Sequence, residues 1–99
     1  LVGIITDNDL FNTMLNLLGA RRSGLRLAVL QPDRVGEVAR LTNAVAKKGG
    51  YLSVCVGYYP EEVPDSWVSV LKVTNLSQDE LVSIIDELED VEIRDLREV

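Results

Sequence analysis

Three features of the sequence predict an α+β domain of order β-α-β-β-α-β, with a four-stranded antiparallel sheet and two helices on one face. Short runs of alternating or continuous apolar residues begin near Leu25, Tyr51, Trp67 and Val91. Two intervening segments space their apolar residues at i, i+3, i+4. Gly or Pro-rich stretches mark most of the changes between them. Two right-handed βαβ units of this order interleave into one antiparallel sheet, leaving its other face bare. A bare face on so small a core predicts a partner across that face or along an edge strand.

Each element follows from its own residues. Leu25 to Leu30 alternates and ends at Gln31-Pro32, because proline has no N–H for a ladder. Asp33 then reads as an N-cap, and Val35, Val38, Leu41, Ala44 and Val45 form the inner stripe of a helix running to Lys48, stopped by Gly49-Gly50. Tyr51 to Tyr59 alternates, with Leu52, Val54, Val56 and Tyr58 on one face and Tyr51, Ser53, Cys55 and Gly57 on the other. Pro60 to Asp65 makes the turn into a strand over Trp67 to Thr74, and the pair reads as an antiparallel hairpin. Ser77 and Glu80 form a capping box, flanked by Leu76 and Leu81 as a hydrophobic staple. Leu81, Ile84, Ile85 and Leu88 supply the second stripe, and Val91 to Leu96 the last strand.

Upstream lies a different unit. Leu1 to Thr6 reads as a strand, Asp7-Asn8-Asp9 as a turn with Asp9 at an N-cap, and Leu10, Phe11, Met14, Leu15, Leu17 and Leu18 as an apolar helical stripe ending at Gly19. One strand and one helix cannot bury that stripe, which predicts self-association or docking on the neighbouring domain. Removing residues 1 to 20 is expected to leave a folded, more soluble domain. The boundaries are therefore 1–23 for a fragment with its linker and 24–99 for a complete domain, within what reads as a piece of a longer polypeptide.

Composition narrows the function. The 99 residues are 46% apolar with a formal net charge of −6, which disfavours phosphate backbones and anionic membranes. A single cysteine and no histidine remove disulfides, ordinary zinc sites and Ser-His-Asp chemistry. Neither a signal peptide nor a long apolar span is seen, so a cytoplasmic setting is expected. Adjacent acids such as Glu61-Glu62 lack the opposed placement that acid–base catalysis needs, and the chain is expected not to be an enzyme. Trp67, Tyr58 and Tyr59 read as core or interface residues.

Two local patterns resemble known families. Gly24 to Gly50, with the loop Asp33-Arg34-Val35-Gly36 before its helix and a glycine pair after it, resembles the opening of an ACT domain, a ferredoxin-like βαββαβ module that senses small molecules in amino-acid metabolism. Val35 stands where that family's loop usually has proline. Leu1 to Leu10 resembles the last strand and helix of a CBS domain, a paired module for adenine nucleotides. The latter resemblance implies that Thr6 and Asp9 are a remnant of a nucleotide site, and that an adenine nucleotide belongs to the CBS part of a full-length chain; this fragment implies no cofactor of its own. A CBS pair followed by an ACT domain is the arrangement of bacterial acetoin-utilisation-type proteins.

The candidate ligand-binding residues are Gln31, Asp33, Arg34, Val35 and Gly36. Free N–H groups and positive potential at a helix start could hold a carboxylate, and Gly36 would let a ligand approach. Arg34 could pair with that carboxylate. The same residues have a plainer role, in which Asp33 caps the helix and Gly36 packs near the sheet. No catalytic or metal-binding residues are expected, and the expected partners are a second copy and a small metabolite such as an amino acid. The sequence thus supports a regulatory ligand-binding and dimerisation module, or a dimerisation module without a ligand.

Overall fold

In a computed structural model the described residues are 23–99 together with Leu10 and Thr13. The order is β1 (Leu25–Pro32), α1 (Glu37–Lys47), β2 (Tyr51–Tyr58), β3 (Ser66–Thr74), α2 (Gln78–Asp86) and β4 (Glu92–Glu98). The strands form one sheet in the order β2-β3-β1-β4, with every neighbouring pair antiparallel. This is the ferredoxin-like βαββαβ fold, with β1 and β3 central and β2 and β4 at the edges.

Odd-numbered residues of β1 and β3 point to the helices. Leu25, Leu27, Val29, Leu71 and Val73 pack with Leu41 and Val45 of α1 and Leu81, Ile84 and Ile85 of α2. Burying an aliphatic side chain contributes about 1.5–3 kcal/mol, so this interior is the main source of stability. At α2 the expected cap forms: Glu80 N–H donates to Ser77 Oγ (3.1 Å) and Ser77 N–H to Glu80 Oε1 (3.0 Å). Leu76 packs against the same core.

Three expectations are corrected. The α1 helix starts at Glu37 with Gly36 as its N-cap, at φ 87°, so Asp33 does not cap it. Its N–H is drawn away to Asp65 O (3.0 Å) on the β2–β3 connection. Consequently Val35 and Val38 stay outside the core: Val35 is fully exposed and Val38 37% exposed. In β2 the pairing register shifts between Leu52 and Val54. The extra residue reverses the pleat, so Leu52 packs on the helix side while Val56 and Tyr58 pack on the opposite face. Finally, the face away from the helices is not bare. Val68 and Val70 there are each 1% exposed, against Ala28, Leu30, Val56 and Tyr58.

Candidate functional site

The β1–α1 loop is built on a buried polar hinge. Gln31, at the end of β1 on the helix side, is 1% exposed. Its Nε2 donates to Glu37 O (2.8 Å), and its Oε1 accepts from Ser69 Oγ (2.6 Å). One amide thus joins the sheet to the first residue of α1, with both of its ends satisfied in a dry environment. Gln31 therefore holds the loop from below, and its polar atoms face inward.

Above the hinge the loop turns outward. Glu37 N–H donates to Arg34 O (3.3 Å) and Arg40 N–H to Gly36 O (2.9 Å), and no side chain caps the helix start. The left-handed backbone at Gly36 suits glycine, and no atom lies within 4 Å of where its Cβ would stand. Conformation, with no steric crowding, is what this position demands.

The charged residues form a network across three segments. Glu37 accepts from Arg40 Nη2 (2.6 Å) and Arg34 Nη2 (3.0 Å). Arg34 also reaches Asp90 Oδ2 (3.5 Å), and Arg40 donates to Glu89 O (2.7 Å), so the loop is tied to the α2–β4 connection. Arg34 is thus already committed to two carboxylates, although the Arg34–Asp90 pair is exposed and contributes at most about 1 kcal/mol.

The Arg40 hydrogen bond outweighs burial and, with Arg34, holds the Glu37 carboxyl below its ordinary value of 4.5. A carboxyl whose folded value is lowered adds stability that is complete above the unfolded value and lost as pH falls through the folded one. Denaturant titrations are therefore expected to show stability falling below about pH 4.5 with a part absent from Glu37→Gln. An identical acid limb in that variant would contradict the assignment.

Beside the loop lies an open cleft of about 240 Å³ lined by Pro32, Asp33, Arg34, Glu37, Val38, Tyr59 and Trp67. Tyr59 and Trp67 meet edge to face, with centroids 4.8 Å apart and planes at 85°. Trp67 lies over Gly57, whose Cβ would sit 2.3 Å from Trp67 Cζ2. The missing side chain is what admits the indole. Pleat and pairing alone place Gly57 opposite Ser69, one diagonal step from Trp67. A glycine inside an apolar strand is the signal that could have revealed this approach.

The structure therefore brings Asp33, Arg34 and the start of α1 together around the cleft, beside Val35 and Gly36, with Gln31 beneath. It adds Val38, Tyr59 and Trp67, whose grouping the sequence did not disclose. Thr6 and Asp9 lie outside the described residues. Cys55 sits on the β2 edge, where desolvation pushes its thiol above the ordinary value, the opposite of a reactive cysteine. Among the described residues no helix is long and apolar enough to cross a membrane. No family model and no curated protein matches the chain.

Proposed function

We propose that residues 24–99 form a regulatory small-molecule-binding and dimerisation module of the ACT kind, attached to a CBS-like segment in a bacterial CBS–ACT protein. The observation that carries this reading is the cleft itself: a helix start without a side-chain cap and an aromatic pair border one open space, next to the glycine-permitted turn that sets where the helix begins. Each part suits a different portion of an amino acid. The positive end of α1 attracts the carboxylate, Asp33 supplies a counter-charge for the ammonium, and Val38, Tyr59 and Trp67 offer apolar surface to a small side chain. No group of this arrangement is asked to make or break a bond.

The two sheet edges differ in a way that supports self-association. The β4 edge carries Glu92, Arg94, Asp95, Arg97 and Glu98, whereas β2, Tyr51 to Tyr58, has no charged residue. Charge blunts an edge against further pairing and its absence invites a strand. A second copy paired along β2 brings the subunit boundary close to Tyr59 and the cleft. Ligand would then bias an equilibrium between two arrangements of the dimer, in proportion to its differential affinity, and the linker before β1 would pass that bias to the CBS part and its adenine nucleotide.

The alternative reading, a structural dimer without ligand, draws on two observations: Arg34 is engaged by Glu37 and Asp90, and Val35 projects into solvent. Calorimetric titration of the 99-residue chain with a panel of amino acids, alongside sedimentation, separates the two. Saturable heat from at least one amino acid is expected. Uniform absence of heat and of thermal shift, with the dimer intact, would establish the structural reading instead.

Gly36→Val tests the loop within the same assay. A β-branched residue in the left-handed region costs about 1–2 kcal/mol, so the turn should relax away from its present form. The ligand heat is expected to vanish while the dimer persists. Heat retained at the original affinity would remove the loop from the site.

A further inference from the structure

The acids and bases around the cleft do not balance. Glu37 accepts from Arg34 at 3.0 Å and from Arg40 at 2.6 Å, and Asp90 faces Arg34 at 3.5 Å, so these charges cancel among themselves. Asp33 is left over. Its backbone N–H is held by Asp65 O at 3.0 Å, but among the described residues its carboxylate forms no ion pair. The adjoining connection deepens the imbalance, since Pro60 to Asp65 holds Glu61, Glu62 and Asp65 and no basic residue. Only Glu62 of these is paired among the described residues, with Arg94 at 3.3 Å.

The uncompensated acid shares its cleft with two aromatic rings. Tyr59 and Trp67 stand at 85° with centroids 4.8 Å apart, which makes a corner and not a stack. Tyr59 lines the cleft and is 66% exposed, so whichever ring gives its edge, π surface of Tyr59 stays open. The negative face of a ring attracts a cation, and a neighbouring carboxylate attracts the same group. A ligand carboxylate meets the opposite conditions. It must compete with Glu37 and Asp90 for Arg34, and it enters beside the unpaired charge of Asp33.

We infer that the ammonium group, and not the carboxylate, is what this cleft selects, so that simple primary alkylamines occupy it as amino acids do. The inference rests on the ligand reading above and narrows it to small ammonium compounds. The cation sits between the Asp33 carboxylate and the face of Tyr59, with the alkyl part against Val38 and Trp67. The carboxylate of an amino acid then points towards the start of α1 without deciding the affinity. A cleft of about 240 Å³ is under the roughly 300 Å³ at which sites for drug-sized ligands begin, which keeps the ligand short. Because the selecting charges are exposed, added salt weakens the binding.

Titration of the 99-residue chain at neutral pH with valine, isobutylamine and N-acetylvaline, read by heat and by Trp67 emission, tests the inference. Isobutylamine keeps the ammonium and lacks the carboxylate; N-acetylvaline does the reverse. Isobutylamine is expected to bind saturably within a few-fold of valine, and N-acetylvaline at least about tenfold more weakly, as loss of a charge-assisted contact requires. Silent isobutylamine beside any amino acid that binds, or N-acetylvaline binding as tightly as isobutylamine, would overturn the inference and leave the ligand reading intact. Silence of isobutylamine and of every amino acid in the panel would overturn both. Two exposed positions supply the second readout. Asp33→Asn is expected to weaken isobutylamine about tenfold, and Tyr59→Leu several-fold. Unchanged affinity in either variant would likewise overturn the assignment.

Discussion

Gln31→Leu is expected to destabilise the domain by about 1–3 kcal/mol, because it leaves the buried Ser69 hydroxyl without its acceptor and cuts the tie between the sheet and Glu37 O, with little change of volume. Leucine fills the space but can neither donate to Glu37 O nor accept from Ser69 Oγ, now at 2.8 and 2.6 Å. Each buried polar group left without a partner costs about 1–3 kcal/mol. In a domain of this size the loss corresponds to a midpoint lower by about 5–20 °C. Adding Ser69→Ala to Gln31→Leu removes the stranded hydroxyl, so the double variant should recover part of the stability. Equilibrium denaturation measures all three chains. A loss below about 0.5 kcal/mol in Gln31→Leu, the level of ordinary surface changes, would show that the hinge does not hold the loop.

The second large effect is expected at Gly57, where the sign of the result decides. Alanine in an extended strand ordinarily gains stability over glycine by about 0.4–1 kcal/mol, through lower entropy of the unfolded chain. Here the new Cβ would stand 2.3 Å from Trp67 Cζ2 and 2.4 Å from Cε2. The indole must leave its seat, which overpacking data place at about 1–3 kcal/mol. Gly57→Ala is therefore expected to destabilise, to shift the emission of Trp67, the sole tryptophan, and to abolish amino-acid heat, since the wall of the cleft is displaced. A stabilised Gly57→Ala with unchanged emission would mean that the indole is not held against β2.

The order of elements was legible because its signals are local. The Ser77–Glu80 box and the alternation of β1 each lie within a few residues, and the structure forms both. The bulge in β2 was not legible, since Tyr51 to Tyr58 is apolar on both faces of the pleat and a slip of one residue leaves no misplaced charge to betray it. At the start of α1 two caps competed. Asp33 has the better side chain, but its N–H is taken by Asp65, 32 positions away, and the turn passes to Gly36. Distance in sequence also hid the engagement of Arg34 with Asp90 and the seat of Trp67 on Gly57. The loop residues were found as a stretch of sequence, but the cleft they border depends on which strands lie beside them.

These corrections change what the loop offers a ligand. Gln31 is a support, with its amide turned inward, and Arg34 is balanced between Glu37 and Asp90, so a carboxylate arriving at α1 competes with two acids already in place. Drawing Arg34 away from Asp90 would require little energy, because that exposed pair contributes at most about 1 kcal/mol. On the proposed reading, that would give a ligand a route to the α2–β4 connection, from which Arg34 would be released.

Amide NMR of the 99-residue chain, titrated with the amino acid that gives the largest heat, tests the central claim most directly. Saturable shifts confined to Asp33 to Val38, Tyr59, Trp67 and the Asp90 turn are predicted. Saturation with those resonances unmoved, or no shift with any amino acid up to millimolar concentration, would contradict the account.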